Sequence, residues 1–538
     1  MSVIVVALAT GAGFGAAALS GATFHSFVSL LPLIALGVQV DDCIITVNTL
    51  ANATGSLEER FGKSIRESGP CITTTSLTTV VCFAIGISSN LPGVSFFCMY
   101  ATAVFFFGWL LQVTFFYACV VIDEKRIERS ADCITCCFSA TSNVDAEKQD
   151  PSSSFKADTA VQRAFGRYAD VLLKPVVSLA VVLLFFGVAS VAIGLVSSIS
   201  IGLPLEDILP DDSPVRDAFA MQKDMFKGRA TSVTSVVQGE DFNELAARQR
   251  FRNAIDGVRQ VEHVVVELPN WMDAYEAWQG GSDTGSYLKG MQTFLDSKQG
   301  ARWKSHVTCP DIACTSIATA KFVVLFMMSR PGTITMDELQ TRDAIDGVLN
   351  PIYPAGNVVV HAEPFMFAES DLAIWRAVLE TCGFSLVGIF FVVCLSTSMS
   401  TAALITLTVA MIDVDLLLFA YALGLRLNSI SYTCLVMACG LAVDYCVRLG
   451  HAFDHSKKEG AMSNKAAARH AVAQMGASIF QGGMTTVLGV VVLAAASSVI
   501  FRIFFFFVFA TVLLGVAHGL MLLPILLTYL TPTCGKAS

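Results

Sequence analysis

Apolar residues fall into long runs separated by short polar breaks, with one wide polar interval at residues 201–375. A helix that crosses the hydrocarbon of a bilayer needs roughly 20 mostly apolar residues. Ten windows meet that requirement, at about 3–22, 27–49, 71–90, 94–122, 176–200, 379–398, 401–423, 428–451, 475–497 and 500–530. The polar interval has a different rhythm. Segments 230–239 and 263–268 read as strands flanking a helix at 241–260, and segments 321–329 and 357–363 flank another at 335–349. Two β-α-β units of this kind predict a ferredoxin-like sandwich. The expected fold class is a polytopic α-helical membrane protein of about ten transmembrane helices carrying one α+β ferredoxin-like domain.

Composition agrees with a membrane setting. The chain is 54% hydrophobic and 15% charged, with a mean hydropathy of +0.63, too apolar for a soluble globular protein. Residues 201–375 hold 24 acidic and 15 basic side chains, a net charge of -9 that equals the value for the whole chain. The helical part is therefore neutral and the polar domain acidic, which argues against nucleic acid as a partner. Short cytoplasmic loops concentrate Lys and Arg. Segments 51–70, 123–175 and 452–474 share one side and carry 3, 8 and 4 basic residues. That side is expected to be cytoplasmic, with 201–375 lumenal or extracellular, in the plasma membrane or an endomembrane. The sequon Asn52-Ala53-Thr54 then lies on the cytoplasmic side and stays unused.

Cysteine placement follows the same division. The polar domain contains only Cys309 and Cys314, a close pair that suits a disulfide in an oxidising compartment. Cys133, Cys136 and Cys137 follow a membrane exit on the proposed cytoplasmic side, where palmitoylation or no role at all is open to them; three cysteines make a poor zinc site. The first window begins almost at Met1 with neither a basic flank nor a signal-peptide cleavage site. It reads as a signal anchor or as a span whose upstream neighbours lie outside this sequence.

The membrane part repeats itself. GVQVDDCIITVNTLA from Gly37 matches GLAVDYCVRLGHAF from Gly440 at an offset of 403, which sets Asp41 on Asp444. ESGPCITTTSLTTVV (67–81) matches QMGASIFQGGMTTVL (474–488) at an offset of 407, setting Thr78 and Thr79 on Thr485 and Thr486. Two pseudo-repeated bundles follow: a partial first bundle at 1–122, and a second made of 176–200 and 376–530. A cytoplasmic linker at 123–175 joins them, the polar domain at 201–375 interrupts the second, and 531–538 form a tail.

Asp41 and Asp42 sit deep in a span, where a charge costs about 2.5–3.5 kcal/mol on insertion scales. Adjacent helical residues point about 100° apart, so only one of the two can face the other repeat directly, and the alignment nominates Asp41 as the partner of Asp444. Two close carboxylates in a low-dielectric site should not both ionise. Thr78, Thr79, Thr485 and Thr486, with Thr73, Thr74 and Thr75, are candidate polar supports for a proton or sodium path. The competing reading is a static pair, with Arg448 bound to Asp444 one helical turn away. Asp413 and Asp415 are spaced i,i+2 on different faces, which favours a polar contact to the GxxxD helix over a shared metal. His518, in the last window, reads as a packing histidine before a proton relay. His263 and His361 form no Ser-His-Asp or His-x-x-x-His pattern, so the chain is not expected to be an enzyme.

Repeated bundles, GxxxD in both (Gly37–Asp41, Gly440–Asp444), a large domain after the first helix of a repeat, and LEDILPDDSPVRDAF (205–219) leading into it resemble the resistance-nodulation-division superfamily. Segments 412–453 and 497–530 are most similar to its Patched, Patched-domain-containing and Niemann-Pick C branch. That family has twelve helices and two lumenal domains. This chain resembles helices three to twelve and the second domain, with 3–122 similar to most of a sterol-sensing domain. The resemblance implies that proton or sodium flow through Asp41, Asp42 and Asp444 powers movement of a sterol or another lipid, without a cofactor. A sterol-sensing receptor that transports nothing is the alternative, and a homo-oligomer is left open.

Overall fold

The computed structural model describes the chain except residues 129–151, 203–208, 210–211, 227–228, 263, 268, 281–285, 329–333, 355, 461 and 533–538. Cys133, Cys136, Cys137 and His263 therefore lie outside the described residues. The chain divides into two compact units, Met1–Leu203 with Ile374–Ser538, and Pro204–Ala373.

Among the described residues, the first unit holds ten helices long and apolar enough to cross a membrane. They are α1 Ser2–Leu19, α2 Ser26–Ala51, α3 Leu57–Gly86, α4 Pro92–Ile127, α5 Pro175–Ser198, α6 Ala368–Cys394, α7 Met399–Ala422, α8 Ser429–Lys458, α9 Asn464–Ala495 and α10 Val499–Leu530. Each corresponds to one predicted window. Helices α3 and α9 begin well before their windows, at 71 and 475, because hydropathy marks only the apolar part of a helix. Their polar first turns are set by caps. The Ser56 hydroxyl accepts from the Glu59 amide while the Glu59 carboxylate accepts from the Ser56 amide, and the Ser463 hydroxyl accepts from the Ala466 amide. Proline at the first turn starts α4 and α5, where its missing amide hydrogen has no partner to lose.

Helix α8 is the axis of this unit. The whole of its most apolar stretch is buried, as expected of a helix apolar on every face. Two helices depart from regular geometry. α4 widens into a π-turn at Gln112–Phe116 and α10 into another at His518–Leu522. Their starts are 406 residues apart, within the range of the repeat offset, so the irregularity belongs to the repeated design; π-turns gather at functional sites. A further helix, Ser152–Leu172, packs against α9, where Arg469 pairs with Asp170 at 2.6 Å.

The second unit contains β1 Arg229–Gln238, β2 Val264–Glu267, β3 Val307–Thr308, β4 Thr319–Met328 and β5 Val358–His361. The sheet runs β2-β4-β1-β5 with every pairing antiparallel, and β3 adds to β4. Helices Leu245–Arg259 and Ile334–Leu349 connect β1 to β2 and β4 to β5. This is the strand order of the predicted ferredoxin-like sandwich. Its core gathers Phe242, Phe251, Trp271 and Phe322. Helix Trp271–Gln279, capped by Asn270, helix Met291–Asp296 and strand β3 fill the connection between β2 and β4. They were not expected, since each is too short to show a period.

Cys309 and Cys314 are bridged. The Asp311 carboxylate between them accepts from the Thr315 amide at 3.0 Å, which ties the loop a second time. A thiol reagent applied to the denatured protein is expected to leave both cysteines unlabelled until a reductant is added; labelling without reduction would show that the bridge does not form.

Candidate functional site

Helix α2 contributes Asp41 and Asp42, and α8 contributes Asp444 and Arg448. The Arg448 side chain is 2% exposed and forms ion pairs with Asp41 and, at 3.6 Å, with Asp42. The arginine thus reaches across from the second repeat to the paired carboxylates of the first. No ion pair joins Arg448 to Asp444 among the described residues, so the one-turn pairing weighed from the sequence is replaced by an inter-repeat one. Two adjacent carboxylates offer a guanidinium more charge than one carboxylate on its own helix, and the fork can serve both.

Asp444 borders a different feature. A cavity of about 10 Å³ lies between α2, α3, α4 and α8, lined by Asp42, Asp444, Gln39, Gln112, Thr75 and Thr79 among others. That volume holds about one water-sized species. Asp42 lines the same cavity as Asp444, and Asp41, which the alignment nominates as the partner of Asp444, does not. Asp41 turns instead toward α9. A Cβ built on Gly482 would overlap its carboxylate. Gly482→Ala is therefore expected to cost about 1–3 kcal/mol through overpacking, read as a lower melting temperature. Gly187→Ala on α5, which meets nothing within 4 Å, serves as the neutral control.

The GxxxD glycines have a packing reason. A Cβ at Gly37 would stand 2.9 Å from the Thr486 Cα, and one at Gly440 would stand 3.6 Å from the Thr79 Cα. Each repeat thus presents its GxxxD glycine to a threonine of the other. Thr79 also donates to the Gly440 carbonyl at 3.3 Å. The remaining threonines bond mainly to their own helices: Thr78 to the Thr74 carbonyl at 3.0 Å, and Thr485 and Thr486 to the Gly482 carbonyl at 2.9 Å. Of the seven nominated threonines, Thr75 and Thr79 border the cavity.

Asp413 and Asp415 point apart, to different neighbours. The Cys439 thiol on α8 donates to Asp413 at 3.0 Å, which is the contact expected to the GxxxD helix. Asp415 Oδ2 instead faces His518 Nε2 on α10 at 3.3 Å. Among the described residues, no group of three His, Cys, Asp or Glu side chains is arranged to hold a metal ion.

Residues 1–140 match the family model described as the sterol-sensing domain of SREBP cleavage-activation. The "NPC intracellular cholesterol transporter 1 homolog 1b" of Drosophila melanogaster is 25% identical over 579 aligned positions, covering 94% of this chain and 46% of the relative. "Patched-related protein 9" of Caenorhabditis elegans is 23% identical, covering 95% and 59%. The chain is similar to Niemann-Pick C and Patched-related proteins along nearly its whole length. It spans about half the length of the curated relatives it matches. The fold is shared with the hedgehog release protein Disp from the water bear Hypsibius dujardini, with a TM-score of 0.64 at 13% identity, over 98% of this chain and 67% of that one.

In this Patched-like frame, the residues that sequence reasoning passed over are Gln39 and Gln112. Gln39 donates to the Val104 carbonyl at 3.4 Å; Gln112 accepts from the Cys43 thiol at 2.9 Å and donates to Thr46 at 3.2 Å. Both are amides in otherwise apolar runs, the signal that would have found them.

Proposed function

We propose that this membrane protein binds or moves a sterol or another lipid, driven by proton or sodium movement through Asp41, Asp42, Asp444 and Arg448. The observation that carries the reading is a charge imbalance in a dry place. Three buried carboxylates lie in a cluster with one buried guanidinium, which pairs with two of them, Asp41 and Asp42. Unpaired charge in such a site is expensive, so the cluster needs further positive charge as bound protons or a small cation. The cavity bordered by Asp42 and Asp444 has room for one such species, and its amide and hydroxyl neighbours can ligate it.

The cluster joins elements of both repeats, so its occupancy bears on how they pack. With a cation or proton between Asp42 and Asp444, α2 and α8 are held together. Without it, the two carboxylates repel and only the Arg448 pairs resist. Two packings that differ in occupancy can expose the site to opposite sides in turn, which is the requirement for coupling. The names of the relatives, cholesterol transporters among them, support a lipid as the moved molecule. A second reading, a sterol sensor that transports nothing, is favoured by the sterol-sensing match confined to residues 1–140.

Reconstituted vesicles loaded with a fluorescent sterol separate the two. Transport driven by the cluster makes sterol transfer faster under an imposed proton or sodium gradient. Saturable sterol binding with transfer indifferent to both gradients would overturn coupling in favour of the sensor.

A further inference from the structure

One buried titratable pair takes no part in the Arg448 cluster. His518 opens the π-turn of α10; its side chain is 0% exposed and that of Asp415, on α7, is 3% exposed. His518 Nδ1 lies 2.9 Å from the Leu514 carbonyl oxygen. A carbonyl can only accept, so Nδ1 carries the hydrogen of that bond, and the tautomer follows. Nε2 of the neutral ring is then a bare lone pair, and Asp415 Oδ2 stands 3.3 Å away, within ion-pair distance but off the line of a hydrogen bond. An ionised carboxylate is also acceptor-only. Two acceptors facing each other in a dry site repel, so the contact is favourable only with a proton between them, on Nε2 as imidazolium or on Oδ2 as a carboxylic acid.

No neighbour supplies that hydrogen. Nε2 and Asp415 Oδ1 have no hydrogen-bond partner among the described residues. From α5, Phe185 sets its ring 4.5 Å from the imidazole and offers no polar atom. From α8, the Cys439 thiol is engaged with Asp413, and from the helix Ser152–Leu172 the Tyr168 hydroxyl donates to the Leu520 carbonyl. Asp413, the other carboxylate of α7, accepts that bond and brings no hydrogen.

The first repeat shows what the site looks like without titration. Gln112 opens the π-turn of α4 as His518 opens that of α10, and it satisfies Cys43 and Thr46 with a neutral amide. The second repeat has an imidazole and a carboxylate where the first has an amide. The site is also placed to be felt elsewhere: a Cβ on Gly519, the next residue of the π-turn, would stand 3.0 Å from the carbonyl oxygen of Tyr445, the neighbour of Asp444.

We propose that Asp415 and His518 form a second proton-binding site, holding one exchangeable proton between Nε2 and Oδ2, and that the π-turn of α10 transmits its occupancy to α8 beside Asp444. Releasing the proton sets lone pair against carboxylate, so the contact opens and the π-turn repacks on Tyr445. The transmission rests on the coupling reading above. The proton site itself does not.

Histidine-selective 15N NMR of the full chain in lipid vesicles tests it. The chain has eight histidines, and His518→Gln, which installs the residue of the first repeat, identifies the signal. The expected result, across the pH range in which the protein stays folded, is an Nδ1 that keeps its hydrogen throughout and one proton-loss step at the Nε2 contact. The step disappears from that range in Asp415→Asn, which also serves as the assignment variant if His518→Gln does not fold. A His518 signal unchanged across the range overturns the proposal. Sterol transfer distinguishes the two ideas. A proton step without gradient-driven transfer removes the coupling reading and the transmission with it but leaves the proton site, and gradient-driven transfer with no step removes only the proton site.

Discussion

Arg448→Leu is expected to destabilise the membrane unit by about 3–5 kcal/mol, the cost of leaving buried carboxylates without their counter-charge. The side chain is 2% exposed and serves Asp41 and Asp42 together. The effect should appear as a large drop in melting temperature of the detergent-solubilised protein, and as a lower yield of folded protein in membranes. The account also specifies the rescue. Adding Asp41→Asn and Asp42→Asn to Arg448→Leu removes the uncompensated charges while keeping their shape, and should recover most of the lost stability. A triple variant no more stable than Arg448→Leu would mean that the arginine acts through packing and not through charge.

Asp444→Asn is expected to behave in the opposite way, folding normally and losing function. Asp444 stands outside the Arg448 ion pairs and has an Oδ1 without a hydrogen-bond partner among the described residues. An amide of the same shape therefore removes charge from the cavity without breaking an ion pair seen among the described residues. With a neutral side chain opposite Asp42, the cavity no longer has two carboxylates to bind a proton or cation between. Gradient-driven sterol transfer should fall at least tenfold, corresponding to about 1.4 kcal/mol or more in the coupled step, while the melting temperature stays close to wild type. Wild-type transfer by the variant would remove Asp444 from the path.

Much of this architecture was legible because it is written in long-range pattern. Ten apolar windows gave ten helices, and the 403- and 407-residue offsets paired Gly37 with Gly440 and Thr79 with Thr486 before any contact was visible. The strand order of the polar unit followed from two β-α-β periods. What stayed hidden depends on helix rotation and on single contacts. Asp41 and Asp42 are neighbours in sequence but about 100° apart on α2, and hydropathy says nothing about which of them meets α8. Arg448 has Asp444 one turn away, so a local pairing was a fair expectation; the partner it takes is set by the packing of α2 on α8. The π-turns at Gln112 and His518 need only a local widening of the helix, which leaves the apolar run unbroken.

The central claim is that occupancy of the buried cluster and movement of lipid are one process. The most direct measurement is ion uptake into sealed vesicles containing the protein, followed with internal pH- and sodium-sensitive dyes while a sterol gradient is imposed. The account predicts proton or sodium movement that begins with sterol transfer, scales with it, and is absent in Asp444→Asn. Sterol transfer that proceeds at full rate with neither ion moving would contradict it.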